Sequence, residues 1–266
     1  MSIFINNGIK IEYEADVEGV PLVFLHGMGG SMKQIYSTYD PIPGVRLITL
    51  NQEGHGNTDA RWDRFDFNAL TDDVIALLNF LHVDKAFFAG ISMGAAVCLN
   101  LVTRHPERVK GLILIRNAWT DQPMQPKVVC AYHDMGLALR DRSIDEFFQS
   151  DGWKIVKEEH SAYTENAFTC TFKDKSCLDF WQKYLILPPK AAVLNRECIK
   201  RINVPTEIVA CHHDLCHPFE YGEYLQKVIP NANLIEIPNK DEDGKRHREL
   251  INSIIYKTLS LELQKN

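Results

Sequence analysis

Hydrophobic and polar positions alternate near the start of the chain and then give way to short, wholly apolar runs. Residues 9–14 alternate apolar and charged side chains, which is the two-residue period of a half-exposed strand. Asn7-Gly8 favours a hairpin turn, so residues 4–5 are predicted to pair antiparallel with that strand. Residues 20–25 are apolar throughout, as expected for a central strand that is covered on both faces.

Short apolar runs and longer amphipathic stretches then alternate as far as residue 115. The predicted strands are residues 46–50, 86–89 and 109–115, and the predicted helices are residues 67–81 and 93–104. Apolar side chains recur at helical spacing in the first of these helices, and His105-Pro106 ends the second. Strands that alternate with helices predict right-handed crossovers and a mostly parallel sheet.

The alternation stops after Ile115 and resumes near residue 206. Between them the chain has amphipathic helical patterns but no strand pattern, with helices predicted at residues 128–139, 144–156 and 176–185. Strands at residues 206–211 and 233–237 and helices at residues 218–228 and 247–263 follow. The pattern therefore predicts an α/β core domain of residues 1–117 and 200–266, with a helical cap inserted at residues 118–199.

One of the apolar strands leads directly into Gly90-Ile91-Ser92-Met93-Gly94, and small residues then begin a helix. A serine on such a tight turn has its hydroxyl exposed at the edge of the sheet, beside the positive end of the helix dipole. Bulky side chains two positions to either side would collide, and both positions hold glycine. The same five-residue pattern also occurs by chance in ordinary loops, but the strand before it and the helix after it favour Ser92 as a nucleophile.

A serine nucleophile needs a base, and the base needs an orienting group. Both should lie at the carboxyl ends of later strands, where ligands bind in open α/β sheets. Asp214 is the only carboxylate in its loop, and His247 lies between the last predicted strand and the last predicted helix. We predict Asp214 as the acid and His247 as the base, an order described for nucleophile-elbow enzymes. Helix capping by Asp214 and an exposed place for His247 are the alternatives, and Asp121 is the reserve acid.

His212, His213 and His217 share a loop with Asp214 and Cys216. So many potential ligands close together could in principle bind a metal ion. Consecutive residues of one loop rarely point at one ion, however, and no distant pair of ligands accompanies them. We therefore predict no metal site, and we expect His213 and His217 to be dispensable for activity.

The segment His26-Gly-Met-Gly-Gly-Ser31 follows the first apolar strand. Attack on an ester carbonyl creates an oxyanion that needs preorganised N–H donors. Glycines let the backbone turn inward, so the predicted donors are the N–H groups of Met28 and of Met93, with Gly27 as a substrate contact. A glycine-rich turn without a ligand is the alternative. The segment matches neither of the common phosphate-binding loops.

Composition narrows the class of protein further. The 266 residues are 45% hydrophobic and carry a net charge of −6 without a basic block, which argues against non-specific nucleic-acid binding. Seven scattered cysteines fit free thiols in a reducing compartment better than a disulfide framework. Without a signal-peptide pattern or an apolar run of the ~20 residues that span a bilayer, we expect a soluble, cytoplasmic protein that is not bound to a membrane. The sequence does not distinguish a monomer from a homodimer.

These motifs together resemble the α/β-hydrolase superfamily, in its capped branch of lipases, esterases and lactonases. The resemblance spans most of the chain and is carried by His247 and by residues 26–30, 54–57, 90–94, 105–108 and 214–218. It implies an eight-stranded sheet whose second strand is antiparallel, a cap inserted after the sixth strand, and no cofactor. The elbow Gly-Ile-Ser-Met-Gly-Ala is most similar to those of enol-lactonases and related carboxylesterases.

The function predicted from the sequence is that of a cofactor-free serine hydrolase of carboxylesterase or lactonase type. It would cleave a small ester, thioester or lactone through an acyl-enzyme on Ser92. Trp119, Tyr132, Trp153 and Trp181 of the cap are candidates to line an acyl pocket, although aromatic residues at helical spacing usually pack in a core. A C–C bond hydrolase, a lyase, an acyltransferase and a ligand-sensing signalling protein that retains the triad are the alternatives.

Overall fold

Eight strands form one sheet in the computed structural model, which describes residues 1–265. The strands are β1 (Ser2–Asn6), β2 (Ile9–Ala15), β3 (Val20–Leu25), β4 (Val45–Leu50), β5 (Ala86–Ile91), β6 (Val109–Ile115), β7 (Thr206–Ala210) and β8 (Ala232–Glu236). Their order across the sheet is β1-β2-β4-β3-β5-β6-β7-β8. β2 pairs antiparallel with both of its neighbours, and the other neighbouring pairs are parallel. The predicted α/β class and the antiparallel second strand are therefore confirmed.

Helices cover both faces of this sheet. In chain order they are α1 (Met32–Thr38), α2 (Phe67–Phe80), α3 (Met93–Arg104), α4 (Pro126–Arg140), α5 (Ile144–Gln149), α6 (Asp151–Glu158), α7 (Ala162–Thr169), α8 (Lys175–Asp179), α9 (Lys183–Ile186), α10 (Arg196–Lys200), α11 (Phe219–Val228) and α12 (Lys240–Leu263). The apolar residues of α2, α3 and α11 form one core, and those of α1 and α12 form a second core. Within residues 1–265, no helix is both long and apolar enough to cross a membrane.

Seven helices, α4 to α10, lie between β6 and β7, where the sequence predicted a helical cap, and all but the 15-residue α4 are short. The helix predicted at residues 144–156 is divided into α5 and α6 at Ser150. The Ser150 side chain accepts a hydrogen bond from the Trp153 N–H and so caps α6. A serine cap of this kind competes with a continuous helix, which explains the break.

The strand order reverses at β3, which lies between β4 and β5, so β3 and β5 flank a topological switch point of the sheet. The loops that follow the carboxyl ends of β3 and β5 therefore leave in opposite directions, and the crevice between them is the place where α/β proteins bind ligands. The glycine-rich loop follows β3 and Ser92 follows β5, so the two meet at this point. A Cβ atom added to Gly27 would lie only 3.3 Å from Ser92 Cβ.

Two carboxyl groups, Glu53 after β4 and Asp73 on α2, are buried together with 1% of each residue exposed. Glu53 accepts a hydrogen bond from the Arg61 N–H, and Asp73 accepts one from Asn6 Nδ2 at 2.7 Å. Burial raises the pKa of Glu53 to about 7 and that of Asp73 to about 6. The folded protein therefore holds protons on this pair that the unfolded chain releases.

This proton retention has a testable effect on stability. Because the unfolded chain binds fewer protons above about pH 5, this pair makes the free energy of unfolding fall as the pH rises through the folded-state pKa values. The Glu53→Gln variant keeps the shape without the titration, so its stability relative to wild type should increase between about pH 5 and about pH 8. Urea unfolding at both pH values measures this, with exposed Glu107→Gln as the control. Parallel pH curves for the Glu53 variant and wild type would contradict the prediction.

Candidate active site

Ser92 lies on a strained turn between β5 and α3. Its φ of 55° and ψ of −111° are unusual for a residue other than glycine. A Cβ atom at Gly90 would lie 2.3 Å from Gly94 C, and one at Gly94 would lie 2.3 Å from Leu25 O. Only glycine fits at either position, because backbone atoms cannot give way as a flexible side chain can. The Ser92 N–H donates to Ile115 O at 2.9 Å and ties the turn to β6.

The Ser92 hydroxyl lies at one end of a hydrogen-bonded chain of three side chains. Ser92 Oγ is 2.8 Å from Nε2 of His217, and Nδ1 of the same ring is 2.8 Å from Asp214 Oδ1. Both partners lie in the loop between β7 and α11, three residues apart. A hydroxyl, an imidazole and a carboxylate in this order can activate the hydroxyl as a nucleophile.

This geometry corrects the predicted base from His247 to His217. The structure brings Ser92 and Asp214 together as the sequence analysis expected, but the ring between them belongs to His217. His247 is buried, and its Nδ1 donates to Pro238 O at 2.9 Å. Burial lowers the pKa of His247 to about 4, so the ring is a neutral structural group.

The start of α12 explains why His247 lies elsewhere. The sequence analysis placed the beginning of the last helix at His247, whereas α12 begins at Lys240. Asn239 and Glu242 form a capping box at its first turn, and the backbone is kinked at Asp243, whose side chain caps the longer segment by accepting from the Arg246 N–H at 2.9 Å. His247 therefore lies inside the helix rather than in the loop at the end of the strand. A capping box is legible in a sequence, and this one was missed.

Arg116 is a second residue of the site that the sequence analysis did not identify. It follows β6 directly, with a φ of 49°, and its side chain is almost fully buried. Nε and Nη2 donate to Asp214 Oδ2 at 2.8 and 2.6 Å, and Nη1 donates to the Tyr163 hydroxyl at 3.0 Å. An arginine directly after a buried strand, on the same edge of the sheet as the nucleophile, is the signal that could have revealed it.

The charges of the triad are set by burial and by this arginine. Burial alone would raise the pKa of Asp214, but Arg116 and His217 outweigh it and hold that pKa well below its usual range. Burial lowers the pKa of His217; Asp214 partly offsets this effect and Arg116 adds to it. The resting site therefore contains a carboxylate and a neutral imidazole, the protonation states that a general base requires.

In the described part of the chain, the glycine-rich loop leaves the Met28 N–H without a hydrogen-bond partner beside Ser92. The N–H of Gly27 donates to Gln34 Oε1, that of Gly29 to His55 Nε2, and that of Gly30 to Gly27 O. Among the described residues, the Met28 N–H has no such partner. Met93 begins α3, and the first N–H groups of a helix lack partners inside the helix. These are the two N–H groups that the sequence analysis singled out.

Two buried histidines fix the shape of this loop. His26 Nδ1 donates to Gly27 O and its Nε2 accepts from the Gln52 N–H. His55 Nε2 accepts from the Gly29 N–H, and its Nδ1 donates to Glu53 O at 3.1 Å. Burial lowers the pKa of both rings, that of His26 to about 4. Each ring is therefore neutral, with one nitrogen donating and the other accepting.

A cavity of about 230 Å³ opens beside Ser92. Its wall combines backbone of the glycine-rich loop with aromatic, sulfur-containing and polar side chains, including Gly27, Met28, Gln34, Arg116, Tyr132, Met135, Tyr163, Thr164, Asn166, Cys170, Thr171, Tyr184 and Cys216. The predicted contacts Gly27 and Tyr132 are thus part of the wall. Met135, Tyr163 and Tyr184 were not predicted.

The three predicted tryptophans do not line this cavity, and this part of the prediction is corrected. Trp119 is fully buried, where its Nε1 donates to Leu187 O at 3.3 Å. Trp153 packs against Phe147 at a centroid distance of 5.5 Å, and Trp181 lies beneath the Arg140 guanidinium. They stabilise the packing of the helices, which was the alternative given for aromatic residues at helical spacing.

The remaining candidates have other partners. Asp121, the reserve acid, accepts a hydrogen bond from the Tyr224 hydroxyl at 2.7 Å. The His212 ring stacks on Phe219 at 4.0 Å. Within residues 1–265, no group of three or more histidine, cysteine or acidic side chains is arranged to hold a metal ion.

The chain is similar to known proteins over most of its length. A family model described as the alpha/beta hydrolase fold matches residues 20–129, which include the glycine-rich loop and Ser92. The AB hydrolase superfamily protein YisY of Bacillus subtilis is 27% identical over 260 residues, covering 89% of this chain and 90% of that protein. The chain is thus similar to the α/β-hydrolase superfamily, over residues 20–129 in the family model and over most of its length in this relative. The recognition made from the sequence motifs is thereby confirmed at the level of the superfamily.

Solved structures of other superfamily members superpose on nearly the whole chain. MGS-M2, an α/β-hydrolase enzyme from a deep-sea metagenome library, covers 97% of both chains with a TM-score of 0.78 and 17% identity. Est816, described as an N-acyl homoserine lactone degrading enzyme, covers 95% of this chain and 99% of its own, with a TM-score of 0.70 and 24% identity. At these identities the superpositions establish the α/β-hydrolase fold.

Proposed function

We propose that this α/β-hydrolase is a serine hydrolase that cleaves a small ester, thioester or lactone through an acyl-enzyme on Ser92. The observation that carries the proposal is the chain of hydrogen bonds from Ser92 through His217 to Asp214 at the wall of a cavity. The description of Est816 as a lactone-degrading enzyme supports the substrate class.

The proposed reaction uses each member of this chain in turn. His217 Nε2 accepts the hydroxyl proton as Ser92 Oγ attacks the carbonyl carbon. Asp214 accepts the Nδ1–H hydrogen bond and stabilises the imidazolium that forms. The imidazolium then donates its proton to the leaving oxygen or sulfur, and the acyl group stays on Ser92. Water, activated by the same imidazole, releases the acid.

Two backbone amides are proposed to stabilise the oxyanion of each tetrahedral intermediate. The Met28 N–H is a donor of the glycine-rich loop, and the Met93 N–H lies at the positive end of α3. Donors of this kind are each worth about 3–4 kcal/mol of transition-state stabilisation. The neutral rings of His26 and His55 hold the loop in shape, so no reorganisation is needed as charge develops.

The size of the cavity favours a small acyl group. Its volume of about 230 Å³ lies below the range of about 300–1,000 Å³ that is usual for sites of drug-sized ligands. The wall contains polar side chains such as Gln34, Asn166 and Thr171 as well as apolar ones, so a short acyl chain with some polarity fits better than a long alkyl chain.

Covalent labelling tests the proposal directly. A fluorophosphonate probe should label wild-type protein at Ser92, and short p-nitrophenyl esters, thioesters and lactones should be hydrolysed. The Ser92→Ala variant should lose both properties, because no other group replaces the nucleophile. Ser37→Ala, which removes an exposed hydroxyl that donates to Gln34 O, is the matched control. Hydrolysis at equal rates by wild type and Ser92→Ala would contradict the proposal.

A further inference from the structure

Arg116 occupies a place where a buried cation works against the base it adjoins. We propose that Arg116 is a positioning residue of the triad. It shares the Asp214 carboxylate with His217, so the imidazole carries its hydrogen on Nδ1 and stays neutral at acidic pH. The inference rests on the proposed function, since it concerns the base of that reaction. Its consequence is an enzyme whose activity persists at lower pH than the same triad would allow without the arginine.

The first step is the division of the carboxylate between two partners. Both Arg116 contacts go to Oδ2, through Nε at 2.8 Å and Nη2 at 2.6 Å. His217 Nδ1 lies 2.8 Å from the other oxygen, Oδ1. The two guanidinium N–H groups fix the position of Oδ2, and the Cys216 N–H donates to Oδ1 at 3.3 Å, so the carboxylate is held at both oxygens. Oδ1 of Asp214 is therefore directed at the imidazole before any substrate binds.

The second step concerns the hydrogen on the imidazole. His217 Nδ1 is 3.2 Å from Arg116 Nη2 as well as 2.8 Å from the carboxylate. A guanidinium only donates hydrogen bonds and a carboxylate only accepts them, so Nδ1 cannot satisfy both. The shorter, charge-assisted contact with Asp214 selects the Nδ1–H form. Nε2 is then the free acceptor that faces the Ser92 hydroxyl.

The third step is the sum of charges around the ring. Asp214 is the anion that faces His217 from its own loop, while Arg116 faces it from β6 and Lys240 faces it from α12. The Tyr163 hydroxyl of α7 accepts from both cations, from Arg116 at 3.0 Å and from Lys240 at 3.3 Å, and therefore keeps them near the ring. Asp214 favours the imidazolium, whereas each of the two cations disfavours it, in the same direction as burial.

The neighbouring thiols do not supply a compensating anion. Cys216 lies beside the ring, in the same loop, and Cys211 Sγ is 3.8 Å from Asp214 Oδ2. Burial raises the pKa of both thiols, that of Cys211 to about 11 and that of Cys216 to about 12. They remain protonated where the triad operates. Removal of the Arg116 charge is therefore the change that should favour protonation of His217 most.

The experiment compares a neutral and a charge-conserving replacement, by the pH profile of kcat/KM and by NMR titration of the His217 ring. Arg116→Gln retains a donor to Asp214 but loses the charge, so the acidic limb of the profile should move upward by about one pH unit or more. Arg116→Lys retains the charge and should keep the limb close to that of wild type. Arg246→Gln, an exposed arginine on α12, is the matched control and should leave the limb unchanged.

The NMR titration separates this inference from the proposed function, because it needs no substrate and can be made on Ser92→Ala protein. Wild-type His217 should show the Nδ1–H form and a pKa below that of free histidine, whatever substrate is hydrolysed. A pKa at or above the free value would overturn the inference without any variant. The inference would also be overturned if Arg116→Gln lost stability or kcat while the acidic limb of its pH profile and the pKa of His217 stayed unchanged. That result would indicate a purely structural arginine.

Discussion

His217→Asn is expected to lower kcat/KM by about 10³-fold or more, whereas His247→Asn should remain within a few-fold of wild type. Asparagine at position 217 cannot accept the Ser92 proton, so the nucleophile loses the base that lies 2.8 Å from its oxygen. At position 247 the amide can still donate to Pro238 O, the contact that the histidine makes. Steady-state kinetics on a short ester measure both effects.

Thermal unfolding of both variants serves as the control, because a loss of activity that merely follows a loss of fold would not identify the base. The opposite ranking, with His247→Asn inactive and His217→Asn active in well-folded proteins, would restore the base predicted from the sequence. It would also show that the hydrogen bond between His217 and Ser92 is not part of the reaction.

Asp214→Asn is expected to cost both activity and stability. The amide removes the anion that selects the Nδ1–H form of His217, a change that costs about 10⁴-fold in a comparable triad. It also leaves the buried Arg116 guanidinium without its carboxylate, which costs about 3–5 kcal/mol where a buried pair is broken. Kinetics and urea unfolding measure the two losses separately.

The double variant Asp214→Asn with Arg116→Met tests the cause of each loss. Replacing the guanidinium by an apolar side chain removes the unpaired charge, so part of the lost stability should return while the activity should not. Asp40→Asn, which breaks an exposed pair with Arg248, should change stability by less than about 0.5 kcal/mol. Full stability in Asp214→Asn alone would contradict the role given to the buried pair.

The fold was predictable because apolar residues recur at different spacings in its strands and in its helices. Apolar runs such as residues 109–115 coincide with a buried strand, and the strand ends then locate the loops on the functional edge. Ser92 was predictable for the same reason as the strand before it, because the elbow admits only glycine at Gly90 and Gly94. A steric constraint between residues close in the chain appears as a short motif in the sequence.

The base was not predictable by the same reasoning, because two loops on the same edge each offer a histidine. The choice depends on where α12 begins, and its first turn, capped by Asn239 and Glu242, and its kink at Asp243 both precede His247 and place that residue inside the helix. The pocket residues depend on how the short helices of the cap pack together. That packing is a tertiary property, so hydrophobic aromatic residues such as Trp119 and wall residues such as Tyr184 look alike in the sequence.

The i and i+3 spacing of Asp214 and His217 makes the acid and the base one local unit of the chain. Four consecutive residues, held by the end of β7 and the start of α11, fix their relative position. The start of α12 supports this loop from outside, because Asn239 Nδ2 donates to His212 O at 3.1 Å and to His213 O at 2.8 Å. In an arrangement that draws its base from the last loop, a slip of the C-terminal helix would separate the two groups. Here such a slip would disturb the contacts of Asn239 with this loop, but Asp214 and His217 would stay three residues apart in the same loop.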